Sequence, residues 1–309
     1  MDPPDNDLRA WIGRSDTVHD RIGPTPVVAL AATLDHPAVA APPGTALPPL
    51  WHWLYFLPLH RQSEIGPDGH AKRGGFLPPV PLPRRMWAGS QFEFRAPVRV
   101  GDEVARISTI DDVTTKAGRS GKLVFVKVRH ELRCNGATEA AVVEFHDIVY
   151  REAKQPGDID PPPVAAATGG AWQREVVPDD VLLFRYSALT FNGHRIHYDR
   201  KYVTEVEGYP GLIVHGPLIA TLLMDLLRRN APEAEVASFR FKAVRPTFDL
   251  HPFRVNGDPG PHAPSALPPE GAPPGLGRPG VGRDGISVKL WAQDHEGWLT
   301  MDAVATLKG

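Results

Sequence analysis

The chain has 309 residues, 42% of them apolar and 23% charged, so it can bury a sizeable core as one large domain or two smaller ones. Its 34 Lys and Arg nearly balance 36 Asp and Glu, which excludes a strong overall field for nucleic acid or an anionic membrane. The single cysteine excludes an internal disulfide. No apolar stretch approaches the roughly 20 residues that span a bilayer, and the N-terminus lacks a signal-peptide pattern. We therefore expect a cytoplasmic protein with no nucleic-acid or membrane partner.

The first element predicted in the N-terminal half lies at 48–57. Its bulky aromatic residues and flanking prolines predict a shortened or irregular helix. Later segments alternate apolar and polar residues over about five to ten positions and are broken by Gly, Asn and Asp, a pattern typical of half-buried antiparallel strands. The predicted strands of this half are 91–100, 102–114, 122–134 and 138–150.

Residues 153–170, rich in Pro, Ala and Gly, are expected to link the first half to the second. A buried helix is predicted over 218–229, which is apolar nearly all round, with Pro217 near its first turn and arginines at its end. The Pro- and Gly-dense residues 256–285 are expected to form a mobile surface insertion. The predicted strands of this half are 182–189, 236–249, 286–293 and 298–307.

A long-period repeat relates the two halves. The sequence Phe-Glu-Phe-Arg-Ala at 92–96 is echoed by Phe-Arg-Phe-Lys-Ala at 239–243, and similar strand and turn patterns follow each copy. A buried helix wrapped by a curved antiparallel sheet is the hot-dog arrangement. We therefore predict an α+β tandem hot-dog fold, with a degenerate N-terminal unit at 1–152 and a catalytic C-terminal unit at 171–309.

The sharpest chemical signal lies between the linker and the apolar helix. Residues 187–199 and 211–217 together hold three histidines, an asparagine, an arginine and an aspartate. The first stretch is too interrupted for a core strand, so its polar groups are candidates for a reaction site. The alternative is a polar loop whose histidines bind backbone groups.

The segment before the apolar helix suggests an oxyanion site. His215 and Gly216 open that helix, where unpaired backbone N–H groups and the positive end of the helix dipole can stabilise a developing oxyanion. Gly211 and Gly216 would allow a ligand carbonyl to approach the backbone closely. The alternative is that both glycines serve only as turn and helix-start residues.

The order of these segments resembles the MaoC-like, R-specific enoyl-thioester hydratases. In addition, 191–199 is similar to a subgroup that contains mesaconyl-C4-CoA hydratase, itaconyl-CoA hydratase and the mitochondrial type 2 hydroxyacyl-thioester dehydratase. Residues 49–53 and 81–89 match the same subgroup. The resemblance covers roughly 10–255 and 286–307.

The resemblance implies a hydro-lyase acting on a short α,β-unsaturated acyl-CoA, of which branched C4–C5 dicarboxylyl-CoA thioesters such as mesaconyl-C4-CoA or itaconyl-CoA are the expected class. It implies no cofactor, because CoA is part of the substrate. The alternatives are a general 3-hydroxyacyl-thioester dehydratase of fatty-acid or polyketide type, a hot-dog thioesterase, and a non-catalytic acyl-thioester binding module.

Alignment with the hydratase motif implies roles for three residues. His197 falls at the catalytic histidine and would be the general base. Asn192 falls where those hydratases have a catalytic Asp; an amide cannot act as a base, but it can orient water. His194 would orient His197, contact the water or hold the loop.

Charged residues near these motifs are candidates for holding the substrate. Arg195 is expected to bind a substrate carboxylate or a CoA phosphate, and Arg84 and Arg85 a substrate carboxylate. The alternative is that these arginines are solvated charges. Asp199 is a weaker candidate, since it would more often anchor the local backbone.

Two further questions stay open from sequence. His194, His197, Asp199 and His215 could together coordinate zinc or iron, although we predict no metal site. Hot-dog units often pair their sheets edge to edge, so the chain is expected to be a monomer of two units or a homodimer.

Overall fold

The structure is a computed structural model that describes residues 8–118, 121–153, 161–260 and 286–309. Within these ranges one antiparallel sheet carries four helices. The strands are β1 (Ser15–Arg21), β2 (Arg84–Phe94), β3 (Glu103–Gly118), β4 (Gly121–Cys134), β5 (Val142–Arg151), β6 (Trp172–Val176), β7 (Val236–Ala243), β8 (Phe253–Asp258), β9 (Ser287–Gln293) and β10 (Leu299–Leu307). The helices are α1 (Pro24–Thr33), α2 (Asp180–Leu189), α3 (Arg200–Glu205) and α4 (Gly216–Asn230).

The strand order divides the sheet into two matching halves. It runs β1-β3-β4-β5-β2 in the first half and then β7-β10-β9-β8-β6, which is the same pattern reversed. The halves meet where β2 pairs antiparallel with β7, and Phe92 lies opposite Phe239. The repeat seen in the sequence therefore forms the central seam, and the tandem arrangement of two units is confirmed.

Helix α4 lies against the C-terminal half of the sheet. Its residues 218–227 are all buried, and it contacts β6, β8, β9 and β10. An apolar helix in water would be unstable, so its burial accounts for the uniformly apolar sequence. In the first half, the aromatic segment predicted to be a shortened or irregular helix forms a 3₁₀ turn at Trp51–Leu54.

The predicted strand at 182–189 is wrong, because these residues belong to helix α2. The Asp179 carboxylate caps this helix by accepting a hydrogen bond from the backbone N–H of Leu182 at 2.8 Å. The buried residues Leu183, Tyr186 and Ser187 are three and four positions apart, which is helical spacing. Apolar residues preceded by two aspartates therefore form a capped helix here.

Other boundaries also differ from prediction. Strand β2 begins before the predicted 91–100, and three short strands, β1, β6 and β8, were missed. Since β8 reaches Asp258, the start of the predicted insertion is strand, while residues 261–285 and the linker residues 154–160 lie outside the described ranges. In the described part of the chain, no helix has the length and hydrophobicity to cross a membrane.

Candidate active site

His197 lies at the centre of the polar segment, in a 3₁₀ turn at Arg195–His197. Its side chain is buried, and its Nδ1 lies 2.7 Å from the backbone carbonyl oxygen of Ile213. A carbonyl can only accept, so Nδ1 carries the proton and donates it to this bond. The other ring nitrogen, Nε2, is then an acceptor in the neutral imidazole, which is the form that a general base requires.

The surroundings of His197 keep it neutral. Burial lowers the pKa of His197 from 6.5 to about 4, the bond to Ile213 opposes this shift, and the charge of His70 adds to it. At neutral pH the imidazole is therefore unprotonated and can accept a proton.

His215 packs directly on His197. The two rings are stacked with centroids 3.8 Å apart and planes 20° from parallel. His215 is completely buried, its Nε2 lies 2.8 Å from the Ser187 hydroxyl on α2, and burial holds its pKa well below the ordinary value. Because His215 is also the N-cap residue of α4, it fixes the position of His197 relative to the start of that helix.

The first residue of α4 is open to the site. The Gly216 amide has no hydrogen-bond acceptor among the described residues, and a Cβ on this glycine would meet nothing within 4 Å. The glycine therefore leaves space in front of a helix N-terminus, which suits a developing oxyanion. Gly211 has a different reason to be glycine, because a Cβ there would lie 2.6 Å from the Asp249 Oδ1. The close contact at Gly211 is therefore with the Asp249 side chain.

Asn192 and His194 lie on the turn between α2 and His197. The Asn192 Oδ1 accepts a hydrogen bond from the backbone N–H of His194 at 3.1 Å, which leaves Nδ2 as the part of the amide with no partner among the described residues. The His194 ring lies edge-on to His197, with centroids 5.5 Å apart. The structure thus brings together the three residues predicted to be catalytic.

A loop from the N-terminal half completes this cluster, and sequence reasoning missed it. The His70 ring lies 3.9 Å from the His194 ring, and His70 Nδ1 lies 3.0 Å from Asp68 Oδ2. Burial alone would raise the pKa of Asp68, but the side-chain and backbone hydrogen bonds from His70 hold it well below its ordinary value. The available signal was Asp68-Gly69-His70, which precedes the 81–89 segment that carries the family resemblance.

The loop is locked onto the site through its backbone. The Arg195 N–H donates to the Asp68 carbonyl at 2.9 Å, and Arg195 Nη1 donates to the Pro67 carbonyl at 3.0 Å. Gly69 has a φ of +90°, and a Cβ there would overlap the Gly193 carbonyl oxygen at 1.8 Å. Only glycine permits this approach.

The predicted substrate-binding charges differ in their surroundings. Arg195 pairs with Asp199 at 2.7 Å and covers the Tyr202 ring at 4.1 Å. The other Asp199 oxygen accepts from the Tyr202 N–H and caps α3. Both charges therefore stabilise the local fold.

Two predicted arginines lie at the start of β2. Arg84 donates to the Tyr209 hydroxyl. Arg85 is exposed, yet its charge acts on His194, whose pKa is lowered by burial first, then by His70 and His197, and further by Arg85. The charge of Arg85 therefore acts on the histidine cluster.

The structure does not gather the four residues considered as metal ligands. Among the described residues, a different set, Asp68, His70 and His194, has ligand atoms within 4.8 Å of one another. Two of these donors already contact each other through the His70–Asp68 hydrogen bond.

A second polar cluster is buried in the N-terminal half, between β5 and the 3₁₀ turn at Trp51–Leu54. Glu144 is 4% exposed, and its carboxylate contacts His52 Nε2 and Trp53 Nε1, each at 3.2 Å. Burial alone would raise the pKa of Glu144, but the His52 hydrogen bond and nearby histidines lower it to about 2. This carboxylate is therefore ionised and satisfied within the fold.

Solved structures with the same fold span nearly the whole chain. A MaoC-like dehydratase from Phytophthora capsici is similar with a TM-score of 0.62 and 13% identity, covering 98% of each chain. A Mycobacterium tuberculosis protein described as having a double hot-dog fold is similar with a TM-score of 0.57 and 13% identity, covering 99% of this chain and 98% of that one. These matches confirm the tandem hot-dog fold.

Two curated relatives match at the level of sequence. Mesaconyl-C(4)-CoA hydratase of Chloroflexus aurantiacus is 48% identical over 82% of this chain and 90% of that protein. The mitochondrial hydroxyacyl-thioester dehydratase type 2 of Schizosaccharomyces pombe is 24% identical over 68% of this chain and 77% of that protein. The profile of the family described as hydroxyacyl-thioester dehydratase type 2 matches residues 50–249. The chain therefore belongs to the hydroxyacyl-thioester dehydratase type 2 family.

Proposed function

We propose that this chain catalyses the reversible hydration of an α,β-unsaturated acyl-CoA, with mesaconyl-C4-CoA or a similar branched C4–C5 dicarboxylyl-CoA as its substrate. The observation that carries the proposal is the neutral His197, whose Nδ1 proton is held by Ile213 while Nε2 is left to accept a proton. The identity to mesaconyl-C(4)-CoA hydratase, 48% over most of the chain, supports the choice of substrate.

The geometry supports a single-base mechanism. Nε2 of His197 removes a proton from water while the water oxygen forms a bond to C3 of the acyl group, and the C2–C3 π electrons move to give an enolate on the thioester oxygen. This oxyanion is stabilised at the Gly216 amide, at the positive end of α4. The imidazolium of His197 then returns the proton to C2 on the same face. Water is the only species added, so the reaction requires no cofactor beyond the CoA of the substrate.

Asn192 orients the water in this mechanism. Its Oδ1 is used by the His194 backbone, so its Nδ2 is the group available to donate to the water oxygen. His215 acts as a positioning residue, since it stacks on His197 and is itself held by Ser187. Proton transfer therefore depends on one base, whereas the related hydratases pair the histidine with an aspartate.

The first experiment compares substrates with the unmodified protein. Mesaconyl-C4- and crotonyl-CoA are each followed by absorbance of the enoyl-thioester band, with a thiol reagent in parallel. Itaconyl-CoA, whose double bond is not conjugated with the thioester, is followed by chromatography of its hydrated product. We expect loss of the band for mesaconyl-C4-CoA without release of free CoA. Free thiol would identify a thioesterase, and faster turnover of crotonyl-CoA would favour a general dehydratase. Tight binding without turnover would leave only a binding module.

A further inference from the structure

The proposed substrate places a second negative charge next to the reacting carbon. In mesaconyl-C4-CoA, the free carboxylate is attached to the carbon that receives the hydroxyl group. A carbon–carbon bond is about 1.5 Å long, and a charge-assisted hydrogen bond is about 2.8 Å, so the carboxylate's partners must lie within several ångströms of the water activated by His197. A carboxylate buried without such partners would be costly.

The histidines beside His197 lie at this distance. The His194 ring is 5.5 Å from the His197 ring between centroids, and the His70 ring is 3.9 Å from the His194 ring. Arg195 and Arg84 are engaged elsewhere, with Asp199 and Tyr209 respectively.

A permanent cation acts on this cluster. Because Arg85 is always protonated, its charge lowers the pKa of His194 beyond the effect of burial, whereas Asp68 opposes it. The cluster is also preorganised. Asp68 holds the His70 ring, and backbone hydrogen bonds hold Asp68 against the His194 turn.

We infer that His70, positioned by Asp68, forms with His194 and Arg85 a subsite for the second carboxylate of the acyl group. This inference rests on the proposed function, because it assigns the part of the substrate that distinguishes a dicarboxylyl-CoA from a simple enoyl-CoA. The N-terminal half thus supplies specificity to a reaction centre on the C-terminal half.

The test measures binding of two saturated thioesters that cannot be hydrated. Succinyl-CoA carries a carboxylate on C3, whereas butyryl-CoA carries a methyl group there. Dissociation constants are measured by calorimetry for the unmodified chain, His70→Ala, Arg85→Gln and the control His60→Ala, an exposed histidine ten residues earlier. Arg85→Gln changes an exposed strand residue, so it keeps the test valid if His70→Ala does not fold.

We expect the unmodified chain and His60→Ala to prefer succinyl-CoA by about 10- to 100-fold, the range for a charge-assisted hydrogen bond. His70→Ala and Arg85→Gln should bring this preference to within about threefold by weakening succinyl-CoA binding only. An unchanged preference in both variants, or none in the unmodified chain, would overturn the inference. A preference lost on dialysis against EDTA and restored by Zn²⁺ would also overturn it, by assigning the cluster to a metal. If the unmodified chain prefers succinyl-CoA but hydrates none of the enoyl-CoA substrates, the proposed function is contradicted and the subsite is still supported.

Discussion

At the scale of single residues, the proposed chemistry depends on the protonation state of His197. Because burial lowers its pKa from 6.5 to about 4, the base is unprotonated throughout the neutral range. We expect kcat/KM for mesaconyl-C4-CoA to be independent of pH from about 6 to 8 and to fall only as the pH approaches 4. Initial rates across this range test the expectation, and an acid limb centred near 6.5 would contradict it.

The lowered pKa of His197 also predicts how the stability of the fold depends on pH. A histidine whose pKa is lower in the folded state binds its proton more readily when unfolded, so protonation between the two pKa values favours unfolding. Burial also lowers the pKa of His130 to about 4 and that of His146 to about 3, so the effect sums over several groups. The free energy of unfolding should therefore be highest above pH 6.5 and fall as the pH is lowered towards 4. Urea titrations at several pH values measure it, and constant stability down to pH 5 would contradict the burial of neutral histidines.

The sequence motif predicted which side chains lie close together better than it predicted their surroundings. The motif around Asn192, His194 and His197 indicated which side chains meet. The carbonyl that fixes the His197 tautomer belongs to Ile213, sixteen positions away and without any side-chain signal. The contribution of His70 comes from another unit, 124 positions before His194 in the chain, so no local pattern could associate the two.

At the scale of elements, the loop around Gly69 controls the position of His70. Gly69→Ala would force the loop away from the Gly193 carbonyl, and we expect kcat/KM for mesaconyl-C4-CoA to fall about 10- to 100-fold. Gly74→Ala is the matched control, since Gly74 also has a positive φ, of +101°, but a Cβ there would meet nothing within 4 Å. Steady-state kinetics of both variants test this. Equal losses would show that backbone strain, and not contact with the site, is responsible.

Elements with a clear pattern of apolar residues were predictable from sequence. Elements that depend on tertiary contacts were not. The buried α4 and most long strands follow from uniform apolarity and alternation. Helix α2 was mistaken for a strand because its exposed positions are also apolar, including Val181 at 62% and Phe184 at 63% exposure. Strand β6 has five residues, and among the described strands it pairs with β8 alone, so its identity depends on that partner.

At the scale of the whole molecule, a buried carboxylate joins the two halves. Asp225 on α4 is 1% exposed and contacts His36 at 2.6 Å, Arg174 at 2.9 Å and Arg229 at 2.7 Å. Both arginines also donate to the Leu34 carbonyl in the N-terminal half. Asp225→Asn leaves these cations without their charge partner, so it should reduce the free energy of unfolding by about 3–5 kcal/mol.

The control for this prediction is Asp302→Ala, at an exposed position on β10, which should change stability by less than about 0.5 kcal/mol. Urea unfolding of both variants measures the difference. A loss below about 1 kcal/mol for Asp225→Asn would contradict the assignment of the network as a major connection between the halves.

The duplicated sheet is used asymmetrically. The C-terminal half retains the buried helix α4 and its open N-terminus, whereas the N-terminal half buries the Glu144 cluster. We therefore retain the prediction of one reaction site per chain, to which the N-terminal half contributes binding groups. The seam between β2 and β7 already joins two units within one chain, so pairing of two units does not require a second chain. The choice between a monomer and a homodimer stays a prediction.

The central claim, that His197 is the base of a hydratase, is tested most directly by His197→Ala. With mesaconyl-C4-CoA, we expect the rate of loss of the enoyl-thioester band to fall by about 10²- to 10⁴-fold. The circular dichroism spectrum of the variant should match that of the unmodified chain. The control His19→Ala, at an exposed histidine on β1, should keep the full rate. A folded His197→Ala variant that hydrates the substrate as fast as the unmodified chain would contradict the account.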